Sequence, residues 1–191
     1  MSDLISESQL RRMIPNAGSR LDAHLPYIVP AMVEGRIDTL RRIAAFLAQL
    51  AHESGEYRYM EEIWGPTQAQ LTYAHRADLG NVHPGDGVKF KGHGPIQITG
   101  RDAHARCGAA LGLDLIADPT LICRPEHATR SAVWFWNDKM GGLSPLADRD
   151  WFKAITRLIN GGFNGLSDRR QYWDRTRGCP SSDKLRQIGS I

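Results

Sequence analysis

The chain is poor in cysteine, in charge of one sign and in long apolar runs. Its three cysteines, Cys107, Cys123 and Cys179, lie far apart. An odd number at such spacings builds neither a disulfide framework nor a zinc site, which leaves free thiols in or near the core. Formal net charge is only +3, with acidic and basic residues interspersed, so composition gives no reason to expect a nucleic-acid partner. The start, MSDLISESQLRRMIPNAG, has no basic stretch leading into an apolar one, and no segment is long enough to cross a bilayer. Neither a signal peptide nor membrane insertion is expected, and the chain is expected in the cytoplasm until something releases it. Internal repeats and low-complexity linkers are absent too. What is present, 191 residues with five tryptophans, is enough for one domain with a substantial core.

The first third reads as helical. Ser6-Glu7-Ser8-Gln9 has the form of a capping box, and Pro15 ends the short helix it opens. Leu21, Leu25, Ile28, Val29 and Met32 recur at helical spacing, with Pro26 and Pro30 starting or kinking that segment. Asp38 is expected to cap the strongest helix, whose apolar stripe is Leu40, Ile43, Phe46, Leu47 and Leu50. The stretch from 76 to 100 holds six glycines and two prolines and alternates around Val88, Phe90, Ile96 and Ile98. That pattern predicts a small antiparallel hairpin or sheet. Helices then resume over 101–111, from Pro125 through EHATRSAVWFWNDK, over about 150–159 and over about 167–177. The fold class expected is α+β, mainly α, with one central β excursion walling a cleft.

Four glutamates fall within ten positions after the strongest helix: Glu53, Glu56, Glu61 and Glu62. Glu53 continues the apolar stripe by one step from Leu50, and Ser54-Gly55 then stops the helix. A carboxyl group so placed is half withdrawn from water, which disfavours its charge and suits a general acid at the mouth of a cleft. Glycoside hydrolysis needs a second carboxylate across the bond, about 6.5–9.5 Å away in inverting enzymes. Glu56, Glu61 and Glu62 all remain candidates on this reading, and those not used are expected to be solvated.

The runs FLAQLAHESGEYRYMEE, RADLGN, GDGVKFKGHGPIQITGR, AVWFW and LINGG, in this order, resemble glycoside hydrolase family 19, within it the phage and prophage endolysins. The opening SQLRRMIPNAG is similar to the start of those endolysins. The resemblance implies a lysozyme-like fold and an inverting mechanism with no cofactor or metal. It implies one catalytic domain over 1–191: helical over 1–53, an acid/base segment over 53–66, the β excursion over 76–100 and helices over 101–178. By the same resemblance Glu53 is the acid beside His52, Glu62 is the base with Glu61 as fallback, and Thr99 holds the attacking water. Gln97, Asn160, Arg169, Arg130 and Tyr73 are expected at the substrate. Tyr73 comes with Arg76 and Asp78 on the cleft wall, and Arg130 stands where plant members have lysine.

One departure bears on substrate. Plant chitinases carry HNYNYG where this chain has GRDAHARCG, so Ala103 and His104 replace aromatic and amide contacts to chitin. The expected substrate is therefore peptidoglycan, with the same β-1,4 linkage plus a lactyl-peptide branch; chitin is the alternative. A monomer is expected, and a holin that releases it is a partner the resemblance alone implies. Two readings from other classes stay open: a non-catalytic wall-binding module, and a metallohydrolase using His75, His83 and His93, whose spacing is not that of metal ligands.

Overall fold

The computed structural model describes residues 4–178, apart from the side chain of Met140; Cys179 lies outside them. Ten α-helices are found among these residues: α1 Glu7–Met13, α2 Ser19–Glu34, α3 Leu40–Ser54, α4 Gln68–Leu71, α5 Asp86–Lys89, α6 Arg101–Leu111, α7 Pro125–Asp138, α8 Ser144–Asp148, α9 Phe152–Asn160 and α10 Leu166–Arg177. Short 3-10 turns join several of them. None of the described helices is long and apolar enough to span a membrane.

The local signals explain most of these boundaries. Ser6 and Gln9 close the capping box of α1 as the sequence indicates. Helix α2 runs unbroken through Pro26 and Pro30, neither starting nor ending at them. It packs along α7, so tertiary burial offsets the hydrogen bonds the two prolines cannot donate. The cap of α3 is Thr39, not Asp38: the threonine hydroxyl accepts from Arg42 N–H, while Asp38 pairs with the Arg42 guanidinium at 3.6 Å. Ile43, Phe46, Leu47 and Leu50 of α3 are each at most 3% exposed, worth roughly 1.5–3 kcal/mol apiece. Leu40, at the start of the stripe, is exposed. Helix α3 lies chiefly against α10, with α8 and α9 beside it.

The expected central β excursion is absent: no strand or sheet occurs among the described residues. Isolated antiparallel bridges join Glu61 to His93 and His93 to Ile98, and a turn fills the interval between the latter two. The remainder coils into α5 and 3-10 turns at Thr72–His75 and Ala77–Leu79. Alternation holds only over 96–99, where Ile96 and Ile98 are buried while Gln97 and Thr99 are half-exposed; Phe90 is buried but Val88 is exposed. Glycines and prolines, however, interrupt the pairing before a ladder can extend. A polar knot does the work of a sheet. The Asp86 carboxylate is 2% exposed and accepts from Val82 N–H, His83 N–H and two guanidinium nitrogens of Arg101. Those partners, the Arg101 guanidinium foremost, hold it down at about 2.

Candidate active site

Helix α3 ends with Gly55 in the left-handed region at φ 54°, and Glu56 and Tyr57 follow it there at 58° and 61°. Three such residues in a row cost energy for the two that are not glycine. Ser54 secures the reversal. Its hydroxyl donates to Leu50 O and accepts from Tyr57 N–H, and its carbonyl accepts from Arg58 and Tyr59 N–H. Glu56, expected to be solvated, is 2% exposed. Its carboxylate accepts from Asn16 N–H, the Asn16 amide and the Tyr172 hydroxyl. It ties the loop before α2 to α10, facing the interior, which removes it from the candidates for the base.

Glu53, with 19% of its side chain exposed, accepts from Arg169 Nη2 at 2.6 Å. Arg169 itself has no exposed surface. Its other nitrogens donate to Gln49 Oε1 and Asn164 O, and the Gln49 amide donates to Thr156 of α9. Arg169 therefore holds Glu53 from below, instead of meeting a sugar as expected. Next to it, His52 Nδ1 lies 2.6 Å from Asp168 Oδ2. A Cβ on Gly165 would fall 2.1 Å from the His52 ring, so only glycine lets α10 begin this close.

Glu62 is half-buried and fixed by neutral donors. Gly92 N–H donates to one carboxylate oxygen and the Gln70 amide to the other, both at 2.9 Å. Glu62 N–H in turn donates to Gly92 O. Gln70 is positioned by a capping box with Thr67. The pattern Thr67-Gln68-Ala69-Gln70 was legible as such a box, although its service to Glu62 was not. Tyr73 stands nearby; burial, and then the Glu62 charge, push its phenol up. Glu61 points elsewhere and pairs with Lys91 Nζ at 2.8 Å, which holds its carboxyl below the usual range.

The turn at Gly94–Gln97 delivers Thr99. Its hydroxyl donates to Gln97 O at 3.0 Å, which leaves its lone pairs free to accept from a water. Gln97 has φ 54° and folds its amide back onto Gly94 O and Tyr59 O. Thr99 and Gln97 line a cavity of about 260 Å³, with Trp134 of α7 and Ile159 of α9 on its other walls. Asn160, the next residue, is the exposed end of α9. Arg130 is placed apart. It pairs with Glu34 of α2 at 2.8 Å and borders a groove with Trp134 and Asn137. Arg76 and Asp78 pair with each other at the surface. His75 and His83 are exposed, whereas His93 is buried with its Nδ1 3.1 Å from His104 Nε2. His104 Nδ1 donates to Gly100 O, so His104 turns inward and offers nothing to a substrate.

Comparison with known proteins places these features in context. The family model described as chitinase class I matches residues 30–145, more than half of the chain. A glycosyl hydrolase family 19 domain-containing protein of Haemophilus influenzae is 30% identical over 88% of this chain and 94% of its own length. An endochitinase of Arabidopsis thaliana is 42% identical over 64% of this chain and 40% of its own. The chain thus spans only about two-fifths of the plant relative's length. Among solved structures, chitinase C of Streptomyces griseus superimposes with a TM-score of 0.67 at 26% identity, covering 91% of this chain and 75% of the other.

Proposed function

The chain belongs to glycoside hydrolase family 19, and on that premise we propose that it hydrolyses β-1,4 bonds between amino sugars of bacterial peptidoglycan by an inverting acid/base mechanism. One observation carries the mechanism: a half-exposed carboxylate is held by a fully buried arginine, and a second by Gly92 N–H and the Gln70 amide. In this reading Glu53 acts in its protonated form and gives that proton to the departing glycosidic oxygen, after which Arg169 pairs with the carboxylate left behind. Glu62 is the base that takes a proton from water, and Thr99 accepts a hydrogen bond from that water and aims it at the anomeric carbon. Partnerships fit the division of labour. Neutral donors orient Glu62 without cancelling its charge, whereas Glu61 is neutralised by Lys91. His52 and Asn160 flank the cleft as sugar-binding groups, and the whole chain acts as one catalytic unit that reaches the wall from the cytoplasm with a holin's help.

Support for peptidoglycan comes from the GRDAHARCG departure. His104 is buried and Ala103 contributes only a methyl group beside Thr99, so contacts expected for chitin are missing. A second reading, chitin hydrolysis, is favoured by the names of the plant and Streptomyces relatives. The test is clearing of outer-membrane-stripped bacteria, with mass spectrometry of the muropeptides to identify the reducing-end sugar. Glu53→Gln should abolish clearing with the fold retained, and proton NMR of the first product should show the inverted anomer. Release of chitin oligomers without clearing would replace the substrate; unchanged clearing by Glu53→Gln would sink the mechanism.

A further inference from the structure

We propose that the cavity beside Thr99 is the subsite for the lactyl-peptide branch of a muramoyl residue, with Lys139 as its anion anchor. The proposal rests on the peptidoglycan reading above and specifies which part of the site makes that choice. At about 260 Å³, the cavity lies just below the roughly 300–1,000 Å³ of pockets that enclose a whole small ligand. That size suits a branch rather than a further row of sugars. One wall is the turn carrying Gln97 and Thr99, which in the mechanism borders the reacting carbon. The opposite walls are the last turn of α7 and the residue after it. Ala103 of α6 leaves the space between them open.

The charges in this cavity are unevenly satisfied. Arg106 Nη1 donates to both carboxylate oxygens of Asp138, at 2.9 and 3.1 Å, and the guanidinium lies 5.7 Å from the Trp134 ring centre. Its charge is therefore answered in place. Lys139 has no carboxylate within ion-pair distance among the described residues. Its ammonium lies over the Phe135 ring, 5.3 Å from the centre. A ring face holds a cation but accepts no conventional hydrogen bond, so the three donors of Lys139 remain for a ligand. Two cations and one carboxylate leave the cavity with one uncompensated positive charge among apolar walls that include Trp134, Phe135 and Ile159. An unbranched amino sugar carries only a hydroxyl at C3 and has nothing to place there. A muramoyl unit carries a methyl-bearing lactyl ether at that carbon, continued by a peptide with free carboxylates. Its methyl matches the indole, and its anion matches Lys139. The pocket would thus select the branched polymer while Glu53, Glu62 and Thr99 perform the same chemistry on either.

The experiment measures reducing-end release from stem-bearing peptidoglycan strands by the full chain, comparing wild type, Lys139→Glu and Lys139→Met. Lys153→Glu, on the exposed face of α9, is the control for a charge change outside the cavity. Replacing a charge-assisted bond by repulsion should raise KM about tenfold or more in Lys139→Glu while kcat stays within about twofold. Lys139→Met should raise KM less, and it keeps the test open if the charge reversal fails to fold. Lys153→Glu should alter neither constant. Muramoyl-alanyl-isoglutamine should inhibit wild type more strongly than diacetylchitobiose does, and Lys139→Glu should lose that preference. If wild type cleaves peptidoglycan but the Lys139 variants leave KM unchanged, or lower kcat alone, the subsite is overturned and the proposed function stands. If wild type does not cleave peptidoglycan at all, the proposed function falls and the subsite with it.

Discussion

Replacing Arg169 by methionine would remove a guanidinium with no exposed surface and leave three acceptors without a donor: Glu53 Oε1, Gln49 Oε1 and Asn164 O. Taking away one partner of a buried ion pair costs about 3–5 kcal/mol, because the other charge is stranded. Glu53 keeps 19% of its side-chain surface, so water can solvate part of it and the lower end, about 3 kcal/mol, applies. Gln49 has no such relief at 1% exposure, and its orphaned oxygen adds about 1 kcal/mol. For a domain of this size each kcal/mol lowers Tm by roughly 2–4 °C, so Arg169→Met should melt roughly 8–16 °C below wild type. Calorimetry and urea unfolding measure this directly. A double-mutant cycle with Glu53→Gln isolates the pair and should return a coupling of about 1.5 kcal/mol or more. A drop in Tm under about 2 °C, or a coupling below about 0.5 kcal/mol, would refute the claim that Arg169 holds the acid from beneath.

The remaining expectations concern the base, the water and the acid limb of stability. Glu62→Gln should lower kcat by several orders of magnitude, on the order of the loss for Glu53→Gln, while Glu61→Gln should change it less than about threefold, since Glu61 is exposed and its charge is already answered by Lys91. The reverse ranking would move the base to Glu61. Thr99→Ala should cost about 10–100-fold in kcat, the worth of one orienting hydrogen bond; a loss as large as that of Glu62→Gln would mean Thr99 does more than orient. In urea unfolding against pH the two largest acid contributions should come from His104 and Asp86. Burial lowers His104 from 6.5 to about 4, so its folded form is favoured above about pH 6.5 and loses that advantage as pH falls toward 4, on the order of 3 kcal/mol. The Arg101 pairing lowers Asp86 from 3.8 to about 2, so its contribution, on the order of 2 kcal/mol, is present above about pH 4 and is lost as pH falls to 2. Asp86→Asn should erase the second contribution alone; an unchanged acid limb in that variant would count against the assignment.

Much of the helical frame was legible because its signals are local. The Ser6–Gln9 box, the α3 stripe, Pro125 and the Leu111, Asn160 and Arg177 helix ends act within a turn or two of themselves. The central segment misled because a short alternation, Ile96 and Ile98 buried with Gln97 and Thr99 half-exposed, also occurs in a chain that forms no ladder. Whether a ladder forms depends on what lies alongside, and here the Asp86 carboxylate, itself held by the Arg101 guanidinium, accepts the backbone N–H groups of Val82 and His83 instead. Glu56 was misjudged for a related reason. A glutamate on a short loop usually faces water, and only Asn16 and Tyr172, 40 and 116 residues away, make its burial affordable.

By pattern alone, the sequence placed in the last turn of α3 a glutamate continuing an apolar stripe, and a glycine that stops the helix after it. Periodicity and backbone sterics are properties of neighbours along the chain, so those two facts needed nothing else. It also offered three further carboxylates, Glu56, Glu61 and Glu62, which periodicity did not tell apart. The separate fates of all four were decided by groups distant in sequence: a guanidinium on α10 beneath Glu53, a hydroxyl and an amide around Glu56, an ammonium on Glu61, and a loop N–H with an amide on Glu62. A carboxylate's role depends on which charges and donors stand within a few ångströms, and only the tertiary fold brings those partners together.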